Sequence, residues 1–288
     1  MLLLIRIFSC LPLPILYFMA DCLIYPLARY IIAYRLKIVR KNIRNAFPEK
    51  SHAEQQKLVN AFYHHLADTI VEIIYGYRAS KEEMQQRVVF DNIEVIEDLA
   101  RRKQGVIAYL GHMGNWEWMA DLANQFQDRS IVEYNVYRRQ KNTSADQAML
   151  RLRSKRGGEC IEKNLLLRKL VQLRQATHPF IIGLIADQKP SPRNAHVWTN
   201  FLNQDTSFLD GGEVLARKFD LGVVYLHITC TQRGYYRVHF DLITDNANNL
   251  PPNAITLAYA ELLERNIQQQ PHRWLWSHNR WKWSRQDK

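Results

Sequence analysis

Cysteine is scarce in this 288-residue chain: Cys10, Cys22, Cys160 and Cys230 show no C-x-x-C spacing and no companion histidine cluster. The pattern argues against a disulfide framework and a zinc site, and points to reduced thiols in a cytosol-facing protein. No metal or cofactor is called for. A Gly/Ser-rich linker, a low-complexity tract and an internal repeat are also lacking, so residues 35–288 read as a single α/β domain. Long hydrophobic runs are missing too. The fourteen uncharged residues from Ile7 to Ala20 are broken by Pro12 and Pro14, whereas a bilayer-spanning helix takes about 20 apolar residues. Residues 1–34 are therefore expected to form a membrane anchor, either an interfacial segment or a tilted helix over Leu2–Ala28. Acidic residues are in deficit, 28 against 39 basic ones, giving a net charge of +11. Such a balance implies acidic partners: an anionic membrane surface, phosphates, an acidic carrier protein or nucleic acid. Arg29, Arg35, Lys37, Arg40, Lys41 and Arg44 follow the apolar segment directly, as suits an anionic cytoplasmic leaflet.

The most informative stretch is Gly105–Trp118, GVIAYLGHMGNWEW. Val106–Leu110 reads as a buried strand, Gly111 to Asn115 as a turn, and Trp116 onward as a helix capped by Asn115. His112 then emerges at the carboxyl end of a strand, where open α/β sheets bind ligands, and the helix N-terminus offers N–H groups to negative charge. Glu117 follows five positions later. On one continuous helix the two side chains would diverge by about 140°, but across a turn they can meet. A carboxylate on the far nitrogen of an imidazole makes it a stronger base, able to activate a hydroxyl.

Further strands are expected over Ser130–Tyr137, Phe180–Ala186, Gly222–Thr229 and Tyr235–Ile243, and helices over Glu54–Tyr77, with Ser51 as N-cap, and from Thr143 to about Lys155. The alternation argues a mostly parallel central sheet flanked by helices. Asp187 and Gln188 follow the Phe180 strand and arrive at the same sheet edge as His112. Cations crowd the end of the Thr143 helix and its approach, Arg138, Arg139, Lys141, Arg151, Arg153, Lys155 and Arg156. They complement a helix dipole or grip phosphate. Trp274, Trp276, Trp281 and Trp283 stand among Arg273, Arg280 and Lys282. That mixture fits a membrane-interface belt better than a stacking platform for single-stranded nucleic acid, given the apolar N-terminal segment.

With these pieces placed, the chain resembles the bacterial lipid A biosynthesis (late) acyltransferases of the lauroyl/myristoyl transferase type. The similarity rests on KNIRNAFPE (Lys41–Glu49), GHMGNWEW (Gly111–Trp118), the stretch from Tyr137 through Asn142 to Arg153 and Gly157-Gly158, ADQ (Ala186–Gln188), LARKFDLGVVYLH (Leu215–His227) and WSHNRWK (Trp276–Lys282). The chain departs from the family pattern with Ala186 for a proline, Lys189 for an acid, Thr143 for a proline and Asn279 for an arginine. The resemblance implies a glycerolipid-acyltransferase-like α/β fold with an N-terminal membrane-anchoring helix. It also implies residence at the cytoplasmic face of the bacterial inner membrane, with acyl carrier protein as donor and a 3-hydroxyacyl chain of a lipid A precursor as acceptor. Under it His112 is the general base, Glu117 orients it, and Arg153 stabilises an oxyanion or holds a phosphate. Asn115, Arg138, Arg151, Asp187, Gln188 and Lys189 are substrate-binding candidates. A lysophospholipid, lyso-aminolipid or other glycolipid acceptor, with acyl-CoA as donor, is the alternative. A basic membrane-surface or RNA-binding protein without catalysis would leave His112, Glu117 and Asp187 idle.

Overall fold

The computed structural model describes every residue apart from Met1, Lys141, Thr177 and Lys288; Lys141, one of the cations noted above, thus lies outside the described residues. The chain starts with two short helices, α1 (Leu2–Phe8) and α2 (Leu13–Met19). The latter runs on through two π-helical turns, Ala20–Ile24 and Leu27–Ile31. Left-handed backbone at Ala33 and Arg35 ends this segment, and α3 (Leu36–Ala46) leaves at 85° to it. Among the described residues no single helix is long and apolar enough to cross a membrane, so the anchoring helix expected from sequence is broken into bent pieces.

After it come α4 (His52–Gly76), α5 (Lys81–Arg87), β1 (Val88–Phe90), α6 (Ile93–Lys103) and β2 (Gly105–Leu110). Ser51 and Glu54 close α4 with a reciprocal capping box, which satisfies two otherwise orphaned N–H groups. Next are β3 (Val132–Tyr137), α7 (Thr143–Ser154), β4 (Glu159–Glu162), α8 (Leu166–Leu173) and β5 (Phe180–Ile185). The chain finishes with the hairpin β6 (Val197–Phe201) and β7 (Gln204–Phe208), then α9 (Gly211–Phe219), β8 (Gly222–Gln232), β9 (Tyr235–Thr244) and α10 (Ala254–Gln269).

The described residues build a seven-stranded sheet in the order β1-β9-β8-β2-β5-β3-β4. From β8 to β4 every pairing is parallel, while β9 runs antiparallel to β8 and carries β1 alongside it. This is the mostly parallel sheet that strand and helix alternation predicts. β2, in the middle, is buried at every position, as a parallel strand covered on both faces must be. Helix α6 packs on β2 and α10 on β8.

Two sequence expectations need revision. Trp274 and Trp276 are 2% and 0% exposed, so half of the C-terminal tryptophans belong to the core rather than to a membrane-interface belt. Of the six N-terminal cations, Arg29 is buried on Asn60, while Arg35, which donates to the Ser277 carbonyl, stays exposed together with Lys37, Arg40, Lys41 and Arg44.

Candidate active site

β2 and β5 are adjacent, parallel and in register, with Leu110 opposite Ile185. His112 and Asp187 each stand two residues beyond that pair, so the sheet itself delivers them to one point. Asp187 Oδ1 lies 2.5 Å from His112 Nδ1, and its Oδ2 accepts both the His112 amide at 2.9 Å and the Trp274 indole N–H at 2.8 Å. The carboxylate is 3% exposed. Burial alone would raise its pKa, but the charge of His112 and the hydrogen bonds from His112 and Trp274 outweigh that and hold it at about 2. With Nδ1 committed as donor, Nε2 faces outward as the acceptor, met at 3.3 Å by the exposed Gln188 amide.

Two glycines of the GHMGN motif make this approach possible. A Cβ on Gly111 would stand 2.5 Å from Leu263 and 3.6 Å from Asp187 Oδ2. Gly114 has φ +53°, and its Cβ would meet the Tyr236 ring at 2.8 Å. The C-terminal segment clamps the same turn: Gly114 donates to the Arg273 carbonyl at 3.0 Å, and Met113 bridges to Trp274.

Glu117 has a different partner from the one its spacing suggests. Its oxygens accept from Arg153 Nε at 2.8 Å and Nη2 at 2.7 Å, and Trp116 Nε1 adds a contact at 3.1 Å. Among the described residues no hydrogen bond or ion pair joins Glu117 to His112. The physical reason is local: Trp116–Asn124 forms a 3-10 helix that carries Glu117 toward the end of α7, leaving the far nitrogen of His112 to Asp187. Trp116 links the two pairs, for its ring meets the His112 ring edge-on at 4.9 Å.

Asn115 is a second correction. It makes no side-chain capping bond and is fully buried, donating to Glu72 Oε2 at 3.0 Å. Glu72, whose carboxyl is pushed up by burial, also accepts from Tyr236 and Tyr17 at 2.8 Å. Asn115 thus ties the turn to α4 through its side-chain amide. Arg138 and Arg151 are exposed, and Lys189 is half-buried with its ammonium 5.2 Å from the Trp283 ring. Lys155 caps the carbonyls of Tyr77 and Ala79, and Arg156 is buried on those of Gly76 and Ala79 beside Asp121. Trp274 is the residue that sequence reasoning missed: its indole holds Asp187, yet it lies 162 positions from His112 and carries no local signal.

Beside these groups a narrow crevice of about 40 Å³ runs along one face of β2, β5 and β3 beneath Trp116–Asn124. Glu117, Arg153 and Trp116 stand among its lining, and its walls are otherwise mainly apolar. No group of three or more potential metal ligands occurs among the described residues.

A base positioned at a strand end, beside an ion pair and an apolar crevice, is the equipment of group transfer to a hydroxyl. The profile of the bacterial lipid A biosynthesis acyltransferases matches residues 1–283, and the chain belongs to that family. It is an acyltransferase of lipid A biosynthesis. Over 277 residues it is 24% identical to the lipid A biosynthesis palmitoleoyltransferase of Escherichia coli (strain K12), spanning 94% of this chain and 86% of that one. The lipid A biosynthesis acyltransferase of Shigella flexneri is similar to the same extent.

Proposed function

We propose that the protein transfers a fatty acyl chain from an acyl carrier protein thioester to the hydroxyl of a 3-hydroxyacyl chain on a lipid A precursor, at the cytoplasmic face of the inner membrane. The observation that carries this reading is the Nδ1 bond from His112 to a buried, ionised Asp187. It fixes the tautomer in which Nε2 is the free base and stabilises the imidazolium that forms. The acceptor hydroxyl gives its proton to His112 Nε2 as its oxygen bonds to the thioester carbonyl carbon. The tetrahedral oxyanion then collapses, the C–S bond breaks, and the departing thiolate takes the proton back from His112. General-base help of this kind is worth about 10²–10⁴-fold. Glu117 spends two guanidinium nitrogens of Arg153, Nε and Nη2; Nη1 would face the oxyanion. Gln188 and Lys189 follow the end of β5 and Arg138 the end of β3, and with the exposed Arg151 they would meet phosphates of the acceptor or the acidic face of the carrier.

Membrane contact is supported by the N-terminal segment. Ile15, Phe18, Leu23, Leu27 and Ile31 recur every three to five residues and are all exposed, Ile31 at 76%. Exposed Lys37, Arg40, Lys41 and Arg44 on α3 supply charges for anionic headgroups. Residues 1–34 would lie in the interface with the apolar stripe down. The Tyr17 hydroxyl on Glu72 and the bidentate pairing of Asp21 with Arg233 hold this segment to residues 35–288, the catalytic domain of this reading.

Mass spectrometry of lipids from a deletion strain and its complemented parent tests the reading. Loss of one secondary acyl chain from lipid A, restored by the parental gene but not by His112→Ala, is expected. An unchanged lipid A with a missing aminolipid or phospholipid would overturn the acceptor.

A further inference from the structure

One face of α4 carries polar side chains into surroundings closed to water. His65, Asp68 and Glu72, at the i, i+3 and i+7 positions of that face, are 4%, 6% and 1% exposed. His65 Nδ1 accepts from Arg273 Nη1 at 3.0 Å, and Asp68 Oδ1 accepts from Arg233 Nε at 3.0 Å. Both arginines lead elsewhere as well: the Arg273 carbonyl holds the Gly114 amide, and Arg233 grips Asp21 of the N-terminal segment. Glu72 joins the same two regions through a single carboxylate. Its Oε1 accepts the Tyr17 hydroxyl at 2.8 Å, and its Oε2 accepts the Tyr236 hydroxyl at 2.8 Å and the Asn115 amide at 3.0 Å.

These bonds reach the turn that carries His112. Asn115 closes that turn, and Tyr236 backs Gly114 inside it, close enough that a Cβ there would strike the ring. Trp118 stands edge-on to the same ring at 5.8 Å and donates its indole N–H to the Glu72 carbonyl at 3.2 Å. The three partners of the carboxylate are all uncharged. Taking a carboxylate out of water onto such partners costs free energy that an apolar side chain of like volume would not. A carboxylate with both oxygens engaged does, however, fix the places of its donors. Stability alone therefore does not account for Glu72.

We propose that Glu72 is a positioning residue for His112, and that residues 1–34 complete the active site from behind through the Tyr17 hydroxyl rather than serving only as an anchor. The inference rests on the acyl-transfer reading given above and adds the groups that hold its base in place. Helix α2 has two sides with different duties: Ile15 and Phe18 are exposed, whereas Leu13 and Leu16 are buried and Tyr17 turns to Glu72. Without the Tyr17 hydroxyl, Oε1 loses that donor and the carboxylate is free to rotate, taking Asn115 and the His112 turn with it. His112 Nε2 then moves off the acceptor hydroxyl, and a displacement of about 1 Å can cost about 10²-fold in rate.

The test measures transfer by purified full-length protein from dodecanoyl acyl carrier protein to a detergent-dispersed lipid A precursor, so that membrane binding plays no part. Glu72→Leu is expected to lower kcat by about 10²-fold with KM for both substrates at the parental level, and Glu72→Gln, an amide of the same shape, to recover part of that loss. Tyr17→Phe is expected to give a smaller fall in kcat while its sedimentation with phosphatidylglycerol vesicles stays parental. In a His112→Ala background neither Glu72→Leu nor Tyr17→Phe should lower the residual rate further, because residues that act as one unit lose their function together. A merely structural role would cut the rate by the same factor in both backgrounds. That result, or a parental kcat for Tyr17→Phe, would overturn the proposal while leaving the acyl-transfer reading in place. Should Glu72→Leu fail to fold, Tyr17→Phe in the two backgrounds decides alone. A parent that transfers no acyl group would overturn the acyl-transfer reading itself.

Discussion

His112 Nδ1 and Asp187 Oδ1 stand 2.5 Å apart, brought together from adjacent parallel strands whose ends are in register. Asp187→Asn keeps the shape but replaces an acceptor with an amide that can present N–H to Nδ1, favouring the wrong tautomer. The expected outcome is a fall in kcat of about 10²-fold or more with circular dichroism unchanged, in the range for loss of general-base assistance. Steady-state transfer with an acyl carrier protein donor measures it.

The Glu117 and Arg153 side chains are 7% and 18% exposed and joined by two short bonds. Removing one partner of such a pair strands a buried charge, at about 3–5 kcal/mol. Glu117→Leu and Arg153→Met should each lower the unfolding midpoint clearly, and the double variant should recover most of that loss. Transfer should not recover with it. Paired thermal melts and assays check both halves.

Asp187 and Glu133 give opposite pH signatures. The Asp187 carboxyl is held at about 2 against an ordinary 3.8, so the unfolded chain binds its proton first as pH drops. Its contribution, about 2 kcal/mol, is complete above pH 4 and lost as pH falls through about 2. Burial raises Glu133 from 4.5 to about 8, even though the Ala123 amide donates to it. The native protein then keeps a proton that the unfolded chain releases, and stability declines as pH rises from about 4.5 through about 8. Glu133→Gln removes that slope. Denaturant melts at pH 5 and pH 8.5 should show the variant gaining on the parent at the higher pH.

The exposed stripe from Ile15 to Ile31 should govern membrane binding rather than folding. Phe18→Glu combined with Ile31→Lys is expected to reduce sedimentation with phosphatidylglycerol vesicles several-fold and to leave the melting temperature unchanged. Transfer of an acyl group to a detergent-dispersed acceptor should survive. Vesicle co-sedimentation against a phosphatidylcholine control is the measurement.

The strand-end position of His112 and the arrival of Asp187 at the same edge are legible in the sequence, because an apolar run followed by a polar residue marks where a buried strand surfaces. The pairing itself is not. H-x4-E suggests a His112–Glu117 contact, yet strand order places β5 beside β2, and order is decided by packing across the whole sheet. The same limit hides Trp274, which joins the site through a contact distant in sequence. Asn115 misleads for a related reason: its type suits an N-cap, but the buried Glu72 carboxylate outbids the helix end for its amide. In the N-terminal segment, Pro12 and Pro14 correctly foreshadow a break before α2, while the π-helical turns that follow have no pattern in the residues themselves.

A double-mutant comparison of kcat for His112→Ala, Asp187→Asn and the two combined reaches the central claim most directly. Residues that act as one unit lose their function together. The combined variant should therefore be no slower than His112→Ala alone. If the two losses multiply instead, or if Asp187→Asn retains the parental rate, the base is not held by Asp187 and the account is wrong.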